Sequence, residues 1–206
     1  MPLTTEHFTL RTTLTSPFGR KVRMAADVLG LNDRVTIVPA DTTDVHDPLR
    51  QQNPIGKIPC LVREDGQSIY DSSVILEFLQ EVAGTHTLLP PSGMERIERL
   101  VLTRLADGII DAGAVIIYEE RYHPEGQRSD HWVTYQREKI GRALARFEQA
   151  VPSPDVTDAV SIGLSCALGF LDKRQPVAWR EHHPRLLQWL AAFSRREPAF
   201  GRSAPP

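Results

Sequence analysis

The chain has 206 residues, 41% of them hydrophobic and 24% charged, with a net charge of −2. That is enough for one large or two small domains, each with its own core, and the composition is that of an ordinary soluble globular protein. The charge balance supplies no basic field for nucleic acid or anionic lipid, and no apolar run approaches the ~18–20 residues that span a bilayer.

The opening stretch "MPLTTEHFTLRT" has neither a basic start nor a continuous apolar run, so it is not read as a signal peptide. Cys60 and Cys166 lie far apart and form no CxxC or metal-ligand spacing. That predicts no metal site and suits a reducing cytoplasm.

The first third mixes strand and helix signals. Phe8–Thr12 and Val35–Val38 are β-prone, while Lys21–Leu29 carries Val22, Ala25, Ala26, Val28 and Leu29 at helical spacing. A strand, a helix and a strand in so short a span predict a βαβ unit with parallel strands. "DTTDVHDPLRQQNPIG" is rich in turn formers and reads as a loop with a short irregular helix. "KIPCLVREDGQSIY" reads as two strands around a turn at Glu64-Asp65-Gly66. "DSSVILEFLQEVAG" has a capping-type start, an apolar face and a closing Gly84.

The Pro- and Gly-rich segment "GTHTLLPPSG" then changes the texture, and strand-like alternation disappears beyond it. The layout predicted is an α/β domain over residues 1–84, a linker over 85–91 and an all-helical domain over 92–206. Helices are expected over Met94–Tyr122, Ser129–Ala150, Asp158–Asp172 and Pro184–Arg196.

Three short motifs in the first domain carry two readings each. Ser16-Pro17 is a preferred N-cap and N1 pair, and equally a hydroxyl at the positive end of a helix, where an anion is favoured. Ile58-Pro59 opens a strand either as an ordinary trans proline or as a cis one, which would turn the amide and carbonyl of Ile58 outward toward an extended ligand. Asp71-Ser72-Ser73 caps a helix, or grips a small zwitterion with amides for a carboxylate and Asp71 for an ammonium. In the helical half, Gly108 and Gly113 lie inside a predicted helix at a cost of ~0.8–1 kcal/mol each relative to alanine. Each therefore marks close approach by a helix, a second subunit or a ligand.

In order and spacing, these motifs resemble the glutathione S-transferase family over nearly the whole chain. The β-α-β start, "NPIGKIPCL", the hairpin and "YDSSVILEFL" are similar to its thioredoxin-like glutathione-binding domain, and "DAVSIGLSCALGFLD" is similar to the buried sixth helix of its second domain. Its capping box here runs Asp158-x-x-Ser161, with serine where an acidic partner is usual. The start "TSPFGRKVR" resembles a bacterial, serine-type subgroup.

The resemblance implies a thioredoxin-like α/β domain followed by an all-α domain. It implies a cytoplasmic glutathione S-transferase acting in detoxification, with glutathione as co-substrate, a small hydrophobic electrophile as acceptor and a homodimer as the assembly. Ser16 occupies the position whose hydroxyl activates glutathione. Phe18, His46, Lys57, Ile58, Pro59, Asp71 and Ser72 would bind the tripeptide. Ile58 would pair with its cysteinyl unit, Asp71 and Ser72 would hold the γ-glutamyl end, and Lys57 or His46 would reach the glycyl carboxylate. Tyr118 and Arg121 would line the acceptor pocket, which in this family sits between the domains. The alternatives are a non-catalytic glutathione-binding or regulatory member, or an isomerase or peroxidase using the same thiolate. Glutaredoxin-like reduction through Ser16 is disfavoured, because a hydroxyl forms no mixed disulfide. Cys60 and Cys166 both read as core residues.

Overall fold

The computed structural model describes residues 5–206. The chain divides into two compact units. One comprises the described residues up to Arg96 together with Ala199–Pro206, and the other is Ile97–Pro198.

The first unit is built on a four-stranded sheet. β1 (Phe8–Thr12) runs into α1 (Pro17–Val28), which returns to β2 (Val35–Pro39) lying parallel to β1. After the short α2 (Leu49–Gln52), β3 (Cys60–Arg63) pairs antiparallel with the other side of β1 and hairpins into β4 (Ser68–Ile69). The sheet order is therefore β2-β1-β3-β4. Gly66 turns that hairpin at φ 86°, a conformation only glycine adopts without steric cost. α3 (Ser72–Ala83) follows and stops at Gly84, also left-handed at φ 64°.

Phe8, Leu10, Leu61, Val22, Met24, Ile75 and Leu79 are buried in this unit. Each side chain of that size contributes ~1.5–3 kcal/mol through the apolar surface it removes from water. Cys60 lies in a smaller cluster with Ala40 and Leu49, against Ile58, Val62 and Tyr70. It is a core thiol, as its place in "CLV" predicts, and burial pushes its pKa up.

The segment after α3 is held firmly. The buried Gln80 side chain accepts from the amides of Leu88 and Leu89 at 2.9 and 2.7 Å and donates to the Leu89 carbonyl at 3.1 Å. α4 then runs Gly93–Tyr122.

The second unit contains α5 (Asp130–Gln149), α6 (Ala159–Arg174) and α7 (Pro184–Arg196). α6 is buried on nearly every side, Cys166 included. Its capping box forms in full: the Ser161 amide donates to Asp158 Oδ1 at 2.9 Å, and the Asp158 amide donates to Ser161 Oγ at 2.8 Å. Serine thus replaces the usual acidic partner without loss of the reciprocal bond. His183 precedes α7 but provides no cap, and Glu148 of α5 accepts from the amides of Arg185 and Leu186 instead. Gly113 of α4 has a packing reason, since a Cβ there would meet Phe170 Cε1 at 2.6 Å. Gly108 has none among the described residues, none of which lies within 4 Å of its would-be Cβ.

α8 (Pro198–Arg202) is a further short helix that the sequence pattern does not announce. Its residues from Ala199 onward belong to the first unit. No helix among the described residues is long and apolar enough to cross a membrane.

Candidate functional site

Sheet register brings the three motifs to one end of the first unit. β1 ends at Thr12, just before the loop that leads to Ser16. Cys60, directly after Ile58-Pro59, is the register partner of Arg11. Ile69 pairs with Leu61, so Asp71 lies two residues beyond β4 at that same end.

Ser16 is the N-cap of α1, and its Oγ accepts from the Gly19 amide at 3.0 Å. The hydroxyl oxygen is thereby committed, while its proton has no acceptor among the described residues. Both readings of Ser16-Pro17 are thus compatible: the oxygen starts the helix and the hydrogen remains to be donated. Gly19 is required here. A Cβ at that position would fall 2.0 Å from Thr12 Oγ1, so only glycine lets the first turn of α1 lie on the end of β1. Phe18 is half-buried on that turn.

The Ile58–Pro59 peptide bond is cis, as is Tyr70–Asp71. Neither the amide nor the carbonyl of Ile58 has a hydrogen-bond partner among the described residues. The buried Asn53 holds the approach to Ile58: its Nδ2 donates to the Lys57 carbonyl at 2.8 Å and its Oδ1 accepts from the Ile55 amide at 3.1 Å. Asn53 is not among the residues the sequence singles out, although an Asn-Pro pair is a turn signal with this very hydrogen-bonding habit. Lys57 and His46 are both exposed. His46 lies in the loop tied down by Asp47, whose carboxylate accepts from Arg11 Nη2 at 2.6 Å and from the amides of Asp41 and Leu49. Those two amides hold the Asp47 carboxyl below its ordinary pKa.

At α3 the structure divides two roles that the sequence left together. Asp71 alone caps the helix, its Oδ1 accepting from the Ser73 amide at 3.0 Å. Ser72 is not a cap; its buried hydroxyl accepts from Lys21 Nζ at 3.3 Å, and Ser73 Oγ accepts from the same ammonium at 3.2 Å. An ammonium only donates, so the Ser72 hydroxyl must direct its own proton elsewhere, and none of the described residues accepts it. Lys21 is fully buried. It lies on the stripe with Met24 and Ala25, and a lysine at an apolar stripe position was the available sign that it is built into the interior. Lys21 links the helix that begins at Ser16 to the corner at Asp71-Ser72.

The site end of the first unit therefore presents a hydroxyl donor at a helix mouth, a backbone unit at Ile58 with no partner among the described residues, and a capped helix start with a buried cation behind it. That arrangement offers hydrogen bonds to an anionic ligand with a backbone-like donor and acceptor. Tyr118 and Arg121 lie on α4 and are exposed, Arg121 standing 5.8 Å from the Tyr118 ring centroid. No group of three His, Cys, Asp or Glu residues able to hold a metal ion occurs among the described residues.

Comparison with known proteins matches residues 15–82 to the family model "Glutathione S-transferase, N-terminal domain". The uncharacterized GST-like protein YibF of Escherichia coli K12 is 31% identical over 198 residues, which is 93% of this chain and 96% of that protein. Among solved structures, a glutathione transferase family member from Pseudomonas fluorescens Pf-5 with bound glutathione superposes at TM-score 0.90 and 37% identity, covering 97% of this chain and 99% of that one. A glutathione S-transferase from Methylobacillus flagellatus with glutathione bound superposes at TM-score 0.85 and 33% identity, over 97% of this chain and 100% of that one.

Proposed function

Because this chain belongs to the glutathione S-transferase family, we propose that it binds glutathione at the sheet end described above and transfers it to small hydrophobic electrophiles. Ser16 is the hydrogen-bond donor to sulfur. The carrying observation is the Ser16 hydroxyl, whose oxygen is occupied by the Gly19 amide while its proton is left to donate.

A free thiol with pKa ~8.5 is only a few per cent ionised at neutral pH, and the thiolate is the nucleophile. A charge-assisted hydrogen bond contributes ~1.5–3 kcal/mol, equivalent to about one to two pKa units where it favours the thiolate alone. The mouth of α1 adds ~0.3–1 kcal/mol. Together these bring the bound thiol near neutrality. The proton leaves to water and the sulfur lone pair forms the new C–S bond. At carbon, either a leaving group departs with its electron pair, or an adjacent π bond takes up the electrons and then a proton.

Around that centre, Ile58 pairs through its free amide and carbonyl with the cysteinyl unit. Asp71 receives the γ-glutamyl ammonium, and Ser72 and the α3 amides its carboxylate. Lys57, with His46 as the alternative, meets the glycyl carboxylate, while Phe18 and Pro59 provide apolar walls. Tyr118 and Arg121 contact the acceptor, and the working assembly is a homodimer.

The test is retention on immobilised glutathione followed by ultraviolet titration of the bound thiol. Retention with a thiolate signal near neutral pH supports the transferase. Retention without it leaves a non-catalytic binding module, and no retention overturns the reading.

A further inference from the structure

α1 has a second working face. Arg20, Arg23 and Asp27 are spaced three and four residues apart, so they share one side of the helix. All three engage the segment 199–203. The Arg20 guanidinium lies 4.0 Å from the Phe200 ring centroid, donates from Nη2 to the Phe200 carbonyl at 2.7 Å and from Nε to Ser203 Oγ at 3.3 Å. Asp27 Oδ2 accepts from Arg202 Nε at 2.7 Å. Arg23 Nη2 donates to the Ser203 carbonyl at 2.8 Å and also to the Leu14 carbonyl at 3.1 Å.

That last pair links two places. Leu14 stands two residues before Ser16, in the loop between β1 and α1. A guanidinium Nη2 carries two hydrogens, and here one holds that loop while the other holds segment 199–203. Two carbonyls on one nitrogen restrict a side chain that otherwise has ample rotamer freedom.

We propose that Arg23 is a positioning residue for Ser16, with segment 199–203 as the brace that holds Arg23 in place. This rests on the reading of Ser16 as the donor to the glutathione thiol. Hydrogen bonds weaken steeply with misalignment, so a small drift of the Leu14–Ser16 loop is read directly in the acidity of the sulfur. Binding of the tripeptide, whose other contacts lie at Ile58 and Asp71, is affected far less.

The experiment is ultraviolet titration of the thiol in the glutathione complex, for the parent, Arg23→Gln, Arg202→Gln, Ser16→Ala and the double variant Arg23→Gln/Ser16→Ala. Arg23→Gln is expected to raise the bound-thiol pKa by about half to one unit, a fraction of the full effect of losing the donor. Arg202→Gln loosens the brace without touching Arg23 and gives a smaller shift in the same direction. Affinity for S-methylglutathione, which has no thiol to titrate, stays within about twofold, as expected when ground-state contacts are kept. In the Ser16→Ala background Arg23→Gln adds nothing, because the two act through one bond.

An Arg23→Gln protein with the parent's thiol pKa and a lowered melting temperature would show a purely structural arginine and overturn the proposal. An equal shift in the Ser16→Ala background would do the same. If Ser16→Ala itself leaves the pKa unchanged, the donor reading fails and the brace with it. If Ser16→Ala raises the pKa and Arg23→Gln does not, only the brace fails. Should Arg23→Gln not fold, Arg202→Gln decides, and no shift there counts against the brace.

Discussion

The starts of α1 and α6 are both capped by a polar side chain, yet they differ in what the cap leaves over. At α6 the polar groups of both capping side chains are matched. Ser161 Oγ accepts from the Asp158 amide and donates to the Asp158 carbonyl at 3.1 Å, while Asp158 takes the Ser161 amide on one oxygen and Arg99 Nη1 on the other at 2.7 Å. At α1 the Ser16 oxygen is matched and its proton is not. The first arrangement is closed and stabilises a buried helix. The second is open, and on the proposed reading a ligand completes it. Unused hydrogen-bonding capacity separates a site from a fold device more clearly than residue type does.

Substitutions sharpen this contrast. Asp158→Ala removes the carboxylate to which the Ser161 amide and the Arg99 guanidinium donate, while the Ser161 hydroxyl keeps its bonds to the backbone of residue 158. It should reduce the unfolding free energy by about 3 kcal/mol in denaturant titration, with the bound-thiol pKa unchanged. Gly19→Ala puts a Cβ 2.0 Å from the stiff Thr12 side chain. It should destabilise by about 1–3 kcal/mol, as overpacking does, and raise the thiol pKa as well. Gly163→Ala in α6 meets Ala106 Cβ at 3.4 Å, so stability should change by less than about 1 kcal/mol, the helix-propensity gain offsetting the tight contact.

Ser16→Ala has the opposite profile. Glutathione binding persists, conjugation slows tenfold or more, about 1.4 kcal/mol in barrier, and the lost cap costs about 1 kcal/mol of stability. Equal turnover by parent and variant would erase the distinction between the two helix starts. The smallest effect expected is at Asp47, where a carboxylate is closed off much as Asp158 is. Its folded pKa lies below the ordinary 3.8, so its contribution is present above that value and is lost as pH falls through the folded value. The protection of the Asp41 and Leu49 amides from hydrogen exchange, measured against the intrinsic exchange rate at each pH, should fall on acidification while that of β1 is kept. Unchanged protection would show that this closure does no work.

Much of this was legible in the sequence, because the physics was local. β1, α3 and α4 follow from periodicity and from breakers at their ends, and the hairpin follows from Asp65-Gly66. The division of roles between Asp71 and Ser72 was not legible, since adjacent polar residues compete for one cap and the lysine that engages Ser72 lies some fifty positions earlier. α8 was also missed, because "PAFGR" has neither length nor period. It exists through tertiary bonds to Arg20, Arg23 and Asp27. The convergence of Ser16, Ile58 and Asp71 depends on strand register, which no single segment encodes.

The first unit is discontinuous, with all of Ile97–Pro198 placed between its two parts. On the ribosome, residues 5–96 emerge before segment 199–203, the partner of the arginine face of α1, has been made. That surface is covered after an entire helical unit has been translated, so the order of synthesis defers the finishing of the first unit until the second has been made.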